Sequence, residues 1–481
     1  MRAAYTAAIV ALALAGCATP AKRVVPPAQE TAAGTLQLSR SLAGAQAGEW
    51  PQERWWTNFD DPQLDGLIDE ALGSNPTLAM AAARIRRAQA LVDAAVARSG
   101  YDLTGQFDAT HQRFTENGIY PPPIAGSTRT TAQMTVNFSY ELDYAHRNDA
   151  AIAAAHAQAF AAGADAYAAR LTLASGLARA YFQLQHLFAL RAVDERELGQ
   201  REKLVTLTKR RVAAGLDSQA PLARAESLPP ALKAQIAQVD GAIALARNQI
   251  AALAGKGPDR GLSLHPSSPH DTDAGVPASL PLDLLGRRPD LAAARWRVVA
   301  AARSVDVAHK QFMPNVNLVA FAGLSSLGLN RLLNTGSAVA GVGPAVRLPL
   351  FSAGGLQAQL RGREAEYDLA VEQYNGLLLD AVRQVADQVQ TRRAIENEDR
   401  ERKAALAAVQ RAYDLTLTRY RAGVANLLSV LDAQGALFAQ QRAEADLRAR
   451  ALQTDVALYR ALGGGYHDRG PIQTEEQRSK K

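Results

Sequence analysis

Two stretches of the chain are laid out with a period of two. In Tyr101–Ala109 the residues Tyr101, Leu103, Gly105, Phe107 and Ala109 are apolar or small, and Asp102, Thr104, Gln106 and Asp108 fall between them. Met134–Tyr144 alternates more strictly, with Met134, Val136, Phe138, Tyr140 and Leu142 set against Thr135, Asn137, Ser139, Glu141 and Asp143. Successive side chains of a strand point to opposite faces, so this spacing predicts strands with one apolar and one polar face. Thr115–Arg129, with its Gly and Pro, reads as the loop of a hairpin covering about 101–144. A weaker pair, Asn315–Leu318 and Val342–Leu350, predicts a second hairpin within about 314–351, bent at Pro344 and Pro349. Elsewhere the period is helical: Leu171, Ala174, Leu177, Ala178, Tyr181 and Phe182 recur at three- and four-residue steps. Ala150–Ala213 and Leu356–Arg421 hold no proline and few glycines. Each would run about 100 Å, too long for a compact domain, so each must pair lengthwise. Ala231–Ala254 and Leu427–Leu462 supply returning partners, with tips near Gly215 and Gly423. Pro229-Pro230 predicts a kink or unwinding soon after the first tip.

The same order of elements occurs twice. Leu72-Gly73-Ser74-Asn75-Pro76-Thr77-Leu78-Ala79 returns as Leu285-Gly286-Arg287-Arg288-Pro289-Asp290-Leu291-Ala292, and Ala252-Leu253-Ala254-Gly255 returns as Ala461-Leu462-Gly463-Gly464. An offset of about 210 residues relates these and the pairs between them, so the chain is two copies of one unit. The expected organisation is a signal peptide over 1–16, a tether over 17–49, repeats over 50–265 and 266–464, and a polar tail over 465–481. One copy of the chain supplies four strands, too few to close a barrel, whereas three copies supply about twelve. A trimer follows from that count.

Composition narrows the class. The chain has 481 residues, 6% aromatic residues and a formal net charge of +6. Its Ala-rich, charge-dotted helices fit close helix pairing, and its interleaved basic and acidic residues give no nucleic-acid footprint. Arg2 and the apolar Tyr5–Ala15 form a signal-peptide pattern ending in Leu14-Ala15-Gly16-Cys17. Cys17 is the single cysteine and stands at the cleavage point, so a lipidated N-terminus is expected in place of a disulfide. No later segment has the apolar length of a membrane-spanning helix, so any further crossing has to use strands. There is no Ser-His-Asp set, phosphate loop or clustered metal-ligand motif, and no enzymatic activity or cofactor is expected beyond the acyl and diacylglyceryl groups on Cys17.

Trp55-Trp56, Phe59-Asp60-Asp61-Pro62-Gln63-Leu64, Asn75-Pro76, Arg287-Arg288-Pro289-Asp290-Leu291, Tyr420-Arg421-Ala422-Gly423 and Leu431-Asp432-Ala433-Gln434 occur in an order and spacing similar to one family. The chain resembles the TolC-type outer-membrane efflux proteins, in their NodT-type lipoprotein branch. The resemblance implies a mixed α/β membrane protein: a trimeric twelve-stranded β-barrel continued by a long α-helical periplasmic tunnel. It implies a passive exit duct serving a periplasmic adaptor and an inner-membrane pump, commonly of the resistance-nodulation-division class. It places the pore gate at the second tip, on Leu428, Asp432 and Tyr420, and adaptor docking at Arg211, Gly215, Arg421 and Gly423. Ser429 stands where some relatives carry a second acid, which implies a weaker carboxylate gate. A protein-secretion duct and a periplasmic coiled-coil scaffold or adaptor are the competing readings.

Overall fold

The computed structural model describes residues 20–468, apart from 24, 39, 44–46, 271, 273–274, 278–283 and 350–352. Cys17 and the tail beyond residue 468 lie outside the described residues. The main elements in chain order are α1 (Pro62–Ser74), α2 (Pro76–Ser99), β1 (Tyr101–Arg113), β2 (Thr128–Glu141), α3 (Arg147–Ala213), α4 (Gln219–Leu253), α5 (Pro289–Lys310), β3 (Asn315–Leu327), β4 (Ala338–Arg347), α6 (Ala353–Arg421) and α7 (Leu427–Ala461). No helix among the described residues is long and apolar enough to cross a membrane.

Contacts divide the chain into two units. One takes in Arg84–Ala162 and Ala293–Tyr374 with the N-terminal residues to Glu30. It carries an antiparallel sheet in the order β1-β2-β3-β4, so the two hairpins join through β2 and β3, leaving β1 and β4 as edges. β3 runs on to Leu327 and β4 begins at Ala338, beyond what the alternation marked, because the small residues within Ala320–Ser326 and Ala338–Gly343 blur the apolar signal; β2 ends at Glu141 and β4 at Arg347, short of the expected ends. Pro344 does not end its strand: it pairs opposite Leu318 on the edge strand β4, where the missing N–H removes no ladder bond from a neighbour inside this sheet. The N-terminal segment lies along α6. Asp368 accepts from the backbone N–H of Ala28 at 2.9 Å and from the Arg23 guanidinium, and Gln357 accepts from Ala21 N–H at 2.8 Å.

The other unit takes in Thr31–Ala83, Gly163–Ala292 and the chain from Asn375 onward. Its main core gathers Trp55, Trp56 and Phe59 with Tyr181, Phe182, Tyr459 and the aliphatics of α1, α3, α4 and α7. Trp55 stacks on Tyr459 at 5.4 Å between ring centres, and Phe59 meets Phe182 edge-on at 4.8 Å. The aromatic motif is therefore a core. Asp61 caps α1, accepting from Gln63 N at 3.0 Å, and its other oxygen takes hydrogen bonds from the Tyr181 and Ser267 hydroxyls at 2.7 and 2.6 Å.

The duplicated motifs perform one task twice. Asn75 Nδ2 donates to the Leu253 carbonyl at 2.7 Å, and Arg288 Nη1 donates to the Ala461 carbonyl at 3.1 Å. Each receiving carbonyl ends a returning helix, α4 or α7, so the residue before each motif proline ties a hairpin's end to the start of the next helix. Arg288 also pairs with Asp290 at 2.7 Å. Burial pushes the Asp290 carboxyl up, but the Arg288 hydrogen bonds and charge outweigh it and hold the group below the ordinary value. Pro229 and Pro230 were expected to kink or unwind the first hairpin; α4 does not unwind there and is helical through both.

Candidate functional site

The two tips end the same way. Leu216 N–H reaches back to the Arg211 carbonyl at 2.8 Å and Gly215 N–H to that of Val212 at 3.0 Å. At the second tip Val424 N–H reaches Arg419 at 2.9 Å and Gly423 N–H reaches Tyr420 at 3.0 Å. These are Schellman turns, with Gly215 at φ +66 and Gly423 at φ +79, which only glycine adopts without a Cβ penalty. In most such turns the next residue tucks back onto the helix. Here Leu216 and Val424 instead stand 64% and 68% exposed, so both tips present one aliphatic side chain outward. Sequence reading missed this pair; the signal was an apolar residue after the tip glycine in both repeats.

Beneath the tips lies a polar lock. Tyr420 is wholly buried, and its hydroxyl donates to Asp217 Oδ2 at 3.1 Å and meets Thr208 Oγ1 at 3.2 Å. Arg211 Nε donates to the same Asp217 oxygen at 2.7 Å, its Nη1 donates to the Tyr420 carbonyl at 3.3 Å, and its guanidinium lies 4.7 Å from the Tyr420 ring centre. Burial, with the Asp217 carboxylate adding to it, pushes the Tyr420 phenol above its usual value. The hydrogen bond to Asp217 raises the already high value of Arg211. Two residues of α3, one of α6 and one from the first tip are thus bound to each other.

Two residues singled out from the sequence stand inside this cluster. Tyr420, grouped with Leu428 and Asp432 at the pore gate, is buried on the single chain, where its ring fills the space between the paired hairpins. Arg211 was expected at a docking tip, and its guanidinium is instead turned inward onto Asp217 and Tyr420. Arg421 and Gly423 are exposed, as is Gly215.

On α7 the helical period sorts the side chains sharply. Leu427, Val430, Leu431 and Gln434 are buried against Leu204, Ala225 and Tyr420, whereas Leu428, Ser429 and Asp432 share the exposed face. Asn426 caps the helix by accepting from Ser429 N and Ser429 Oγ, each at 2.9 Å. Ser429 is therefore engaged in the cap. Asp432 stands in the second turn, beyond the first turn where the helix dipole favours an acid.

The sheet has two contrasting faces. Tyr101, Tyr140, Leu318 and Pro344 form one row in register, followed by Leu103, Phe138, Ala320 and Val342, then by Phe107, Met134, Leu324 and Ala338. Leu103, Phe107 and Val342 on this apolar face are 61%, 58% and 77% exposed on the single chain. The opposite face begins with Asp102, Ser139, Val319 and Gly343, and continues with Thr104, Asn137, Phe321 and Gly341.

Comparison with known proteins decides the family. The family model for outer membrane efflux proteins matches residues 67–256 and 280–464. The chain belongs to the outer membrane efflux protein family. It is 33% identical over 473 residues to the multidrug resistance outer membrane protein MdtP of Escherichia coli, covering 95% of each chain. It is 37% identical over 369 residues to the fusaric acid resistance protein FusA of Burkholderia cepacia, covering 74% of this chain and 68% of that protein. It superimposes on the crystal structure of the outer membrane protein VceC of Vibrio cholerae with a TM-score of 0.81 and 37% identity, covering 87% of this chain and all of that one. The fold class expected from the sequence, a trimeric barrel of four strands per protomer continued by a helical tunnel, is that of this family. The chain is an outer-membrane efflux protein, located in the outer membrane.

Proposed function

We propose that this chain is the passive exit duct of a tripartite pump. It receives small organic molecules from an inner-membrane transporter through a periplasmic adaptor and catalyses no reaction. Three copies close a twelve-stranded barrel by pairing β4 of one with β1 of the next, which turns the apolar face to lipid and the polar face to water. The naked apolar face of the sheet carries this reading, since a face so exposed needs lipid to cover it. The names of MdtP and FusA, which refer to drugs and to fusaric acid, support small-molecule cargo. Cys17 carries the lipid anchor, and the segment from Ala21 to Thr31, held on α6, leads from it into the fold.

At the second tip, three Leu428 side chains exclude water and three Asp432 carboxylates form a ring that favours cations. Leu216 and Val424 join Gly215, Arg421 and Gly423 as the surface for the adaptor. Single-channel recording of the reconstituted trimer tests the gate. Asp432→Ala is expected to lower cation selectivity and to abolish block by multivalent cations, and unchanged values of both would remove Asp432 from the pore.

A further inference from the structure

The water-facing side of the sheet is not uniformly polar. Four successive rows on that face read Asp102, Ser139, Val319, Gly343; Thr104, Asn137, Phe321, Gly341; Gln106, Thr135, Gly323, Val339; and Asp108, Gln133, Ser325. The first hairpin contributes hydroxyls, amides and two carboxylates, whereas the second contributes Val319, Phe321, Val339, glycines and a single hydroxyl, Ser325. No Lys, Arg or His stands in these rows. Phe321 is 42% and Val319 37% exposed. A Cβ on Gly341 would lie 2.7 Å from Phe321 Cε1, so the ring lies against the wall over the space that glycine leaves. An aromatic held flat with its outer side to water is a ready apolar platform.

The edges of the sheet bring the two halves together. Under the trimeric closure proposed above, on which this inference rests, β4 of one protomer meets β1 of its neighbour. The water-facing side of β4, with Val339, Gly341 and Gly343, then borders the neighbour's β1, whose water face carries Asp102 and Asp108, and Phe321 lies one strand behind. We infer that each of the three seams inside the barrel is a binding subsite for amphiphilic organic cations, the Phe321 platform taking the apolar body and the seam carboxylates the charge. An aromatic face attracts a desolvated cation, and carboxylates in a walled pore focus a negative field. Neither half suffices alone: a simple metal cation gains nothing from Phe321, and a neutral apolar molecule gains nothing from Asp102.

A thiol placed one strand from the seam, beside Asp102, tests this without depending on the state of the tips. Ser139→Cys puts a cysteine in the Asp102 and Val319 row, and Cys17, the chain's single natural cysteine, gives a background measured on the unsubstituted protein. Its labelling rate with a membrane-impermeant thiol reagent added to trimers in liposomes is the readout. Tetraphenylphosphonium at about four times its dissociation constant is expected to slow labelling about fivefold by occupancy. Tetraphenylborate, of the same shape and opposite charge, is expected to leave the rate unchanged. Adding either Phe321→Ser or Asp102→Asn is expected to remove most of the protection. Protection that survives Phe321→Ser, or equal protection by tetraphenylborate, would overturn the subsite. A Ser139→Cys thiol that never reacts with the impermeant reagent would overturn the barrel closure itself, and the seam with it.

Discussion

Tyr420 ties the second hairpin to the first beneath the tips. Its hydroxyl is buried between Thr208 and Asp217, and its raised phenol keeps the proton it donates well past neutral pH. Removing that hydroxyl deletes one buried hydrogen bond, about 1 kcal/mol, enough to shift a closed-to-open ratio about fivefold. Tyr420→Phe is therefore expected to raise open probability in planar-bilayer recordings by that order. Asp217→Asn should raise it further, because Arg211 loses its ion pair as well. A second residue-scale prediction concerns acid. The Asp290 carboxyl is held below its ordinary value, so its contribution to stability is fully present above about pH 4 and is lost as the pH falls through the lower folded value. Thermal unfolding of Asp290→Asn should accordingly depend less on pH between about pH 5 and pH 3 than that of the parent. Nothing in the linear pattern separates Tyr420 from Leu428. Both are apolar-bodied residues at one tip, and only the packing of the first hairpin against the second buries one and exposes the other.

Among the helices, the second tip is backed by a buried ionic cluster. Arg442 of α7 reaches Asp194 at 2.7 Å and Glu197 at 2.5 Å on α3, Arg201 pairs with Glu197 at 3.0 Å, and Gln235 of α4 donates to Asp194 at 3.1 Å. Asp194 is 1% exposed, so the cluster fixes how the two hairpins register against each other. Deleting one partner strands the others: Arg442→Met is expected to cost about 2 to 3 kcal/mol in urea unfolding, a figure reduced for the 27% exposure of the arginine side chain. Lys403→Met, which removes one end of the exposed pair with Asp399, should leave the urea midpoint unchanged. The helices carrying these charges were legible from their period and freedom from proline. The partners were not, because side chains on three separate helices meet only after the hairpins pack.

For the whole molecule, the tips are the surface proposed above for the adaptor. Leu216→Asp with Val424→Asp places a charge on each exposed aliphatic tip residue and should abolish co-purification of the adaptor, while trimer formation and conductance persist. Loss of the trimer itself in that variant would show the pair to be structural instead. By itself the sequence determined the duplication, the four strands with their two faces, the long helices and the turns at Gly215 and Gly423. Those features are local: periods of two and of about 3.6 residues, proline and glycine at turns, and a repeated unit whose copies can be compared with each other. Pro229-Pro230 marks the edge of that reach, since a helix supported along its length by a partner continues through two prolines that would end it alone. Tertiary structure alone decided that Asn75 and Arg288 do the same work on equivalent carbonyls, that Tyr420 and Arg211 face inward to Asp217, and that Phe321 shares a face with Asp102. Each of those joins residues far apart in the chain, and register and packing, which the linear pattern leaves open, are what bring them together.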